Sequence, residues 1–389
     1  MAVLLNVIAW NSTAFCDAYI MYIFPIWVNT YGRFTGLFPF SVGEWMLVAG
    51  VILVLLAVII GFLRLGICLI TALKKGNGSS EKIFTGAKRW IRVFYLSFAW
   101  ILLGVCVIMT LNCFILYHAS TFSQKYFGED TREYTLVELI EVYNHVVVQC
   151  NRLSGEVERD ASGAIVYRGM NAEGEAVSME EKAIAAMQQL GKKYPQLDGY
   201  YPRPKPMFFS DFMCQQYMCG YYFPFSMEAN YNDVMYIMNK PATMCHELAH
   251  LRGYIYEDEA NFIGYLACVG SDDVTFQYAG YLSVLAYLSN DIYHAKQTEP
   301  ELYGAALCNV QPLSIVSVVY EDITFVTEQE WERIEGEAWL NTETVDEVSD
   351  SFTDATLKLN GVSDGMLSYN RVVALLLQYY IGEGMLQEG

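Results

Sequence analysis

Residues 245–268 read CHELAHLRGYIYEDEANFIGYLAC, and the rest of the chain is read outward from them. His246, Glu247 and His250 stand in the order H-E-x-x-H. On a helix, positions i and i+4 share a face, so the two imidazoles turn the same way and one Zn²⁺ ion fits between them. Glu247 then stands where a general base is needed, in reach of the water that attacks a peptide bond. Gly253 suits a left-handed helix stop, and a second helix is expected from about Glu257. That helix presents carboxylates seven to nine residues beyond His250 as a third ligand, leaving a fourth metal position open for catalysis.

Two glutamates compete for the third position. Glu257 shares its helical face with Asn261, Gly264, Tyr265 and Cys268, a mostly small or polar stripe able to approach the metal helix closely. Glu259 lines up instead with Phe262, Ile263 and Leu266, about 200° around the axis, so one regular helix cannot direct both at one ion. The expectation is His246, His250 and Glu257 as ligands, with Asn261 steadying a ligand from behind. A late helix start would turn Glu259 inward instead.

Upstream, the apolar content is concentrated. Residues 46–73 carry one charge, Arg64, and residues 93–117 carry none, which suits two helices crossing a hydrocarbon core of about 30 Å. Between them, residues 74–92 hold Lys74, Lys75, Lys82, Lys88, Arg89 and Arg92 against Glu81 alone, so this loop is expected on the cytoplasmic side. Residues 118–389 then form an extracytoplasmic domain behind a membrane anchor at 1–117, in a multi-pass protein of the cell membrane. The first 44 residues are apolar but broken by Asn6, Asn11, Asp17 and Pro25, and no cationic stretch precedes them. They read as a partial span with an aromatic interfacial segment rather than a cleavable signal peptide.

The domain holds 40 of the 43 acidic residues and 16 of the 24 basic ones, a formal charge of −24. Such a surface repels nucleic acid and anionic headgroups, so no nucleic-acid partner is expected. The expected partners are the lipid bilayer and a peptide or protein substrate. None of the ten cysteines forms a CxxC pair, so a cysteine-ligated zinc site has no support, and the sequence assigns no disulfide. Helical spacing recurs over 134–153, 178–190, 274–292 and 371–380. A hairpin fits 155–174, and extended segments fit 207–209 and 220–225, which gives an α+β domain.

With these motifs in view, the chain resembles the bacterial membrane family catalogued as domain of unknown function 3810. Its members pair N-terminal spans with an H-E-x-x-H domain of the zincin type. The likeness runs from about Phe38 to the C-terminus through FPFSVGEW, PRPKPMFFS, GYYFPFSMEANYN, the stretch quoted above, and LKLNGVSDGMLSYNRVV. It implies a zincin-like fold and an outside start for residues 11–44, while peptidase activity is what the zinc motif itself implies. The order E-x-x-A-N at Glu257–Asn261 also resembles the third-ligand helix of gluzincin peptidases. The spacer is shorter than theirs and nearer that of metzincins, whose third-histidine position is Tyr256 here, so the third ligand stays open between Glu257 and Glu259.

The leading functional reading is a membrane-anchored zinc metallopeptidase acting on protein or peptidoglycan-associated peptides near the membrane. The alternative is a non-hydrolytic zinc-binding sensor or assembly protein, marked by a fourth protein ligand closing the site. Intramembrane proteolysis is the third, and the charges around the motif and its distance along the chain from either span argue against it. GYYFPFSMEAN supplies either a sheet edge for substrate or a packing surface. Tyr369 is a candidate oxyanion donor. His118, His145 and His294 are expected outside the site.

Overall fold

The computed structural model describes residues 1–73, 80–128, 132–171, 174–359 and 371–382, together with Gly384 and Leu386. Lys74 and Lys75 of the basic loop, and Tyr369, lie outside the described residues.

The chain begins with two short helices, α1 (Ala2–Asn11) and α2 (Thr13–Tyr22). Ser12 separates them, its hydroxyl accepting the Phe15 N–H at 3.2 Å. A third short helix, Phe24–Trp27, opens with Pro25 in its first turn. The apolar N-terminus is therefore a jointed arm, and at about 1.5 Å per residue α1 alone is too short to cross a bilayer.

Two long helices follow. Helix α3 (Val42–Leu73) starts four residues before the expected apolar run because the Ser41 hydroxyl caps it, accepting the Glu44 N–H at 3.1 Å. Helix α4 (Ser80–Met109) is prolonged by a π-helical turn, Thr110–Phe114. Within them Val42–Ile70 and Lys88–His118 are long and apolar enough to cross a membrane, with mean hydropathies of 3.2 and 2.4. Only 6% and 22% of their most apolar windows are buried by protein, so neither is the core helix of a soluble domain.

The remainder is mostly helical around one small sheet. Helices α5 (Leu136–Leu153) and α6 (Met179–Lys193) each open on a capping box, Thr135 with Glu138 and Ser178 with Glu181. Strands β1 (Lys205–Pro206), β2 (Gly220–Phe223) and β3 (Glu228–Tyr231) form a sheet of order β1-β3-β2. Strand β1 runs parallel to β3 and β2 antiparallel, with Tyr222 opposite Ala229. Helices α7 (Lys240–His250), α8 (Glu257–Val269), α9 (Val274–Thr298) and α10 (Val372–Leu377) complete the core. Helix α8 is the centre of that core, with Phe262, Ile263 and Tyr265 fully buried, and it packs against α6, α7, α9 and α10. Among the described residues of the segment 155–174, Arg159 bridges to Ile165, and Met170 bridges out to Ala176.

One expectation is corrected. The extended segment read at 207–209 lies two residues earlier, at Lys205–Pro206, because the N–H groups of Phe208 and Phe209 donate to the buried Glu44 carboxylate at 2.9 and 2.7 Å. Beside it, the ammonium of Lys205 donates to the carbonyls of Thr35 and Phe40, at 2.8 and 3.0 Å, and pairs with Glu228. Glu228 in turn accepts the N–H groups of Val42 and Gly43, at 3.2 and 2.7 Å, in the first turn of α3. These N–H groups have no partner within their own helix, so the carboxylate both satisfies them and complements the helix dipole. Helix α3 is thus joined to β1 and β3 through buried charge.

Candidate functional site

Helix α7 turns His246 and His250 onto one face, with their Nε2 atoms 3.0 Å apart. It ends at His250 because Gly253 takes a left-handed conformation, φ 88°, and donates its N–H to the His250 carbonyl. Helix α8 then starts at Glu257 and crosses α7 closely at Gly264, where a β-carbon would lie 2.9 Å from the Ala242 carbonyl and 3.2 Å from the His246 nitrogen. The crossing brings Glu257 Oε2 to 3.0 Å from His246 Nε2, and Oε1 to 3.8 Å from His250 Nε2. Glu259 is directed elsewhere, accepting the N–H and hydroxyl of Ser123 at 3.1 and 2.6 Å.

The tautomers follow from the partners. Asn261 Oδ1 and the Tyr254 carbonyl can only accept, so His246 Nδ1 donates to the first at 2.8 Å and His250 Nδ1 to the second at 2.7 Å. In the neutral imidazoles both Nε2 lone pairs then face each other and the Glu257 carboxylate, an arrangement that needs a cation between them. Without a metal, a proton takes that role. Burial opposes protonation of His246, but the Glu257 and Glu247 carboxylates outweigh it and raise its pKa to about 9. Burial, helped by the charge on His246, drives His250 down to about 4. Glu257 stays below the ordinary carboxylate range despite burial, because both imidazoles favour its charge.

Glu247 stands apart from this convergence. Its Oε1 is 3.9 Å from His246 Nε2, its Oε2 is buried without a hydrogen-bond partner, and burial raises its pKa to about 8. One donor atom each from His246, Glu247 and His250 lies within 4.8 Å of the others, a grouping that leaves out Glu257. The shorter distances favour Glu257 as the partner of the two histidines, with Glu247 at the rim. Strand β2 runs over that rim. At Gly220 a β-carbon would lie 2.5 Å from Glu247 Oε1, so only glycine lets the strand pass this close.

The distance along the chain between motif and spans does not carry over into space. The end of the second span forms a wall of the site. The hydroxyl of Tyr256 donates to the Tyr117 carbonyl at 2.6 Å, and that of Tyr222, whose ring lies 5.7 Å from His250, donates to the Asn112 carbonyl at 3.0 Å. Asn112 donates back to the Pro224 carbonyl at 2.8 Å. The N-terminal arm closes another side, with Ile20 against Gly253 and Asp17 accepting the N–H and hydroxyl of Ser120 at 3.0 and 2.7 Å. Sequence reading missed Asn112 and Tyr254, while Tyr222 lies in the stretch read as a sheet edge or packing surface. His118 lies against Trp10 with its ring tilted, His145 lies against Tyr281 and Tyr380, and His294 is exposed. All ten cysteines are free, with Cys245 and Cys268 of the two site helices 3.9 Å apart at sulfur.

A family described as Protein of unknown function (DUF3810) matches residues 19–377, starting well before Phe38 and taking in the end of the arm, both long apolar helices and the site. No curated protein and no solved structure matches the chain.

Proposed function

Because the chain belongs to the DUF3810 family, whose description assigns no activity, we propose one from the site itself: a membrane-anchored zinc metallopeptidase with a zincin-like domain. His246, His250 and Glu257 would hold one Zn²⁺ ion, and Glu247 would act as general base. The observation that carries the reading is the convergence of two Nε2 atoms and one carboxylate at separations of 3.0 to 3.8 Å. Ligands bonded at about 2.0–2.1 Å in tetrahedral array stand roughly 3.3 Å from one another, so the donor set fits zinc. Asn261 and the Tyr254 carbonyl fix both rings from behind, as outer-shell partners of ligand histidines do.

When bound, zinc lowers the pKa of water and polarises a carbonyl. The chain's own residues supply the rest. Glu247, with one carboxylate oxygen left without a hydrogen-bond partner, is suited to take a proton from attacking water and return it to the departing amine. Strand β2, passing over Glu247, offers a sheet edge along which an extended peptide would lie. The domain would face away from the basic loop, outside the cytoplasm.

Glu247→Gln is the test. Peptide hydrolysis by the purified chain should fall by about 10²–10⁴-fold while bound zinc, measured by elemental analysis, stays at one ion per chain. Undiminished hydrolysis by this variant would sink the enzymatic reading and leave a zinc-binding protein.

A further inference from the structure

If the chain is a peptidase, its catalytic centre is held at one fixed height, the membrane surface, and the two spans show where that surface lies. Trp90 is 77% exposed at the basic end of α4, and Trp45 is half exposed at the opposite end of α3. Tryptophan at such positions marks the two edges of the hydrocarbon core. From Trp90 to Cys113 the helix rises about 34 Å at 1.5 Å per residue, and from Trp45 to Arg64 about 28 Å, so both spans match a core of about 30 Å. Cys113 and Trp45 therefore share the membrane boundary on the domain's side.

Asn112, next to Cys113, accepts at its carbonyl the hydroxyl of Tyr222, whose ring lies 5.7 Å from His250, and Tyr117, one turn further out, packs its ring on Tyr256 at 5.5 Å. The site thus lies within about 10 Å of the hydrocarbon edge, roughly two helical turns. Phe208, Leu37 and Phe34, all well exposed beside the start of α3, belong to the same interfacial zone. Buried bonds hold the domain to both long helices. Lys205, Glu228 and Glu44 bind the first turn of α3 to β1 and to the loop after it, and Asn112 and Tyr222 bind the end of the second span to the segment over the site.

We infer that the substrates are membrane-anchored polypeptides, cut in the stretch directly next to their own membrane span. A bond there is presented at the height of the site, with its diffusion confined to two dimensions. A bond far out on a stem, or in a free peptide, gains neither advantage. This rests on the peptidase reading above.

The experiment uses the zinc-loaded full chain in phosphatidylcholine vesicles with a single-span test protein. The test protein carries a stem of about 40 residues of randomised composition, and the same stem is also supplied as a soluble peptide. Cut sites are mapped by mass spectrometry. The inference expects cuts within the first ten or so residues beyond the span, a reach of about 35 Å when extended, and at least tenfold slower cutting of the soluble stem. Cuts spread along the whole stem, or equal rates on anchored and soluble forms, overturn the fixed height and leave the peptidase standing. Failure to cut either form faster than Glu247→Gln overturns the peptidase reading, and this inference falls with it.

Discussion

Two of the buried clusters of charged side chains, one that ties α3 to the sheet and one at the site, are finished differently. At the anchor, every group is met from within. Lys205 spends its donors on two carbonyls and Glu228, Glu228 takes two N–H groups from α3, and Glu44 takes two from the loop after β1. At the site, two imidazole nitrogens and a carboxylate face one another across 3.0 to 3.8 Å, and Glu247 Oε2 has no partner. A buried ionic cluster whose polar atoms are all satisfied fixes position. The site cluster, also buried, leaves an oxygen of Glu247 unmet, and the zinc reading proposed above rests on that difference.

That contrast can be broken most directly by removing metal. Zinc should stabilise the chain by about 4 kcal/mol at a thousandfold excess over its Kd, and chelation or His250→Ala should abolish both this gain and hydrolysis. Thermal melting with and without chelator reads it. A melting temperature indifferent to zinc would mean that the site cluster is as self-sufficient as the anchor cluster.

Next in size is the anchor itself. Glu228→Ala leaves Lys205 buried without its counter-ion and should cost about 3–5 kcal/mol in denaturant unfolding, with zinc affinity in the folded fraction unchanged. Zinc affinity lost in parallel would show that the two clusters are one coupled unit.

The smallest effect separates the neighbouring glutamates of α8. Glu259→Ala should cost about 1 kcal/mol, because burial already disfavours its charge and offsets part of the two hydrogen bonds to Ser123. Its zinc affinity should match the unmodified chain, whereas Glu257→Ala should lose zinc. Metal titration of both variants checks this, and the opposite ranking would reassign the third ligand.

How much of this was legible beforehand depended on how far apart in sequence the partners stand. The sequence by itself determined what short-range periodicity encodes: two apolar helices of membrane length, His246 and His250 on one face, a stop at Gly253, a second helix from Glu257, and the opposed directions of Glu257 and Glu259. Each follows from a rise and a turn per residue, which any seven to twenty consecutive residues express. Tertiary structure alone decided that Glu44 takes the N–H groups of Phe208 and Phe209, shifting β1 two residues earlier, and that Ser123 is the partner of Glu259. It alone brought Asn112, in the turn that prolongs α4, to the wall of a site more than a hundred residues later in the chain. Those pairings join segments with no common period. They arise because buried carboxylates and amides must find partners wherever the packed helices leave them, and no local pattern records where that will be.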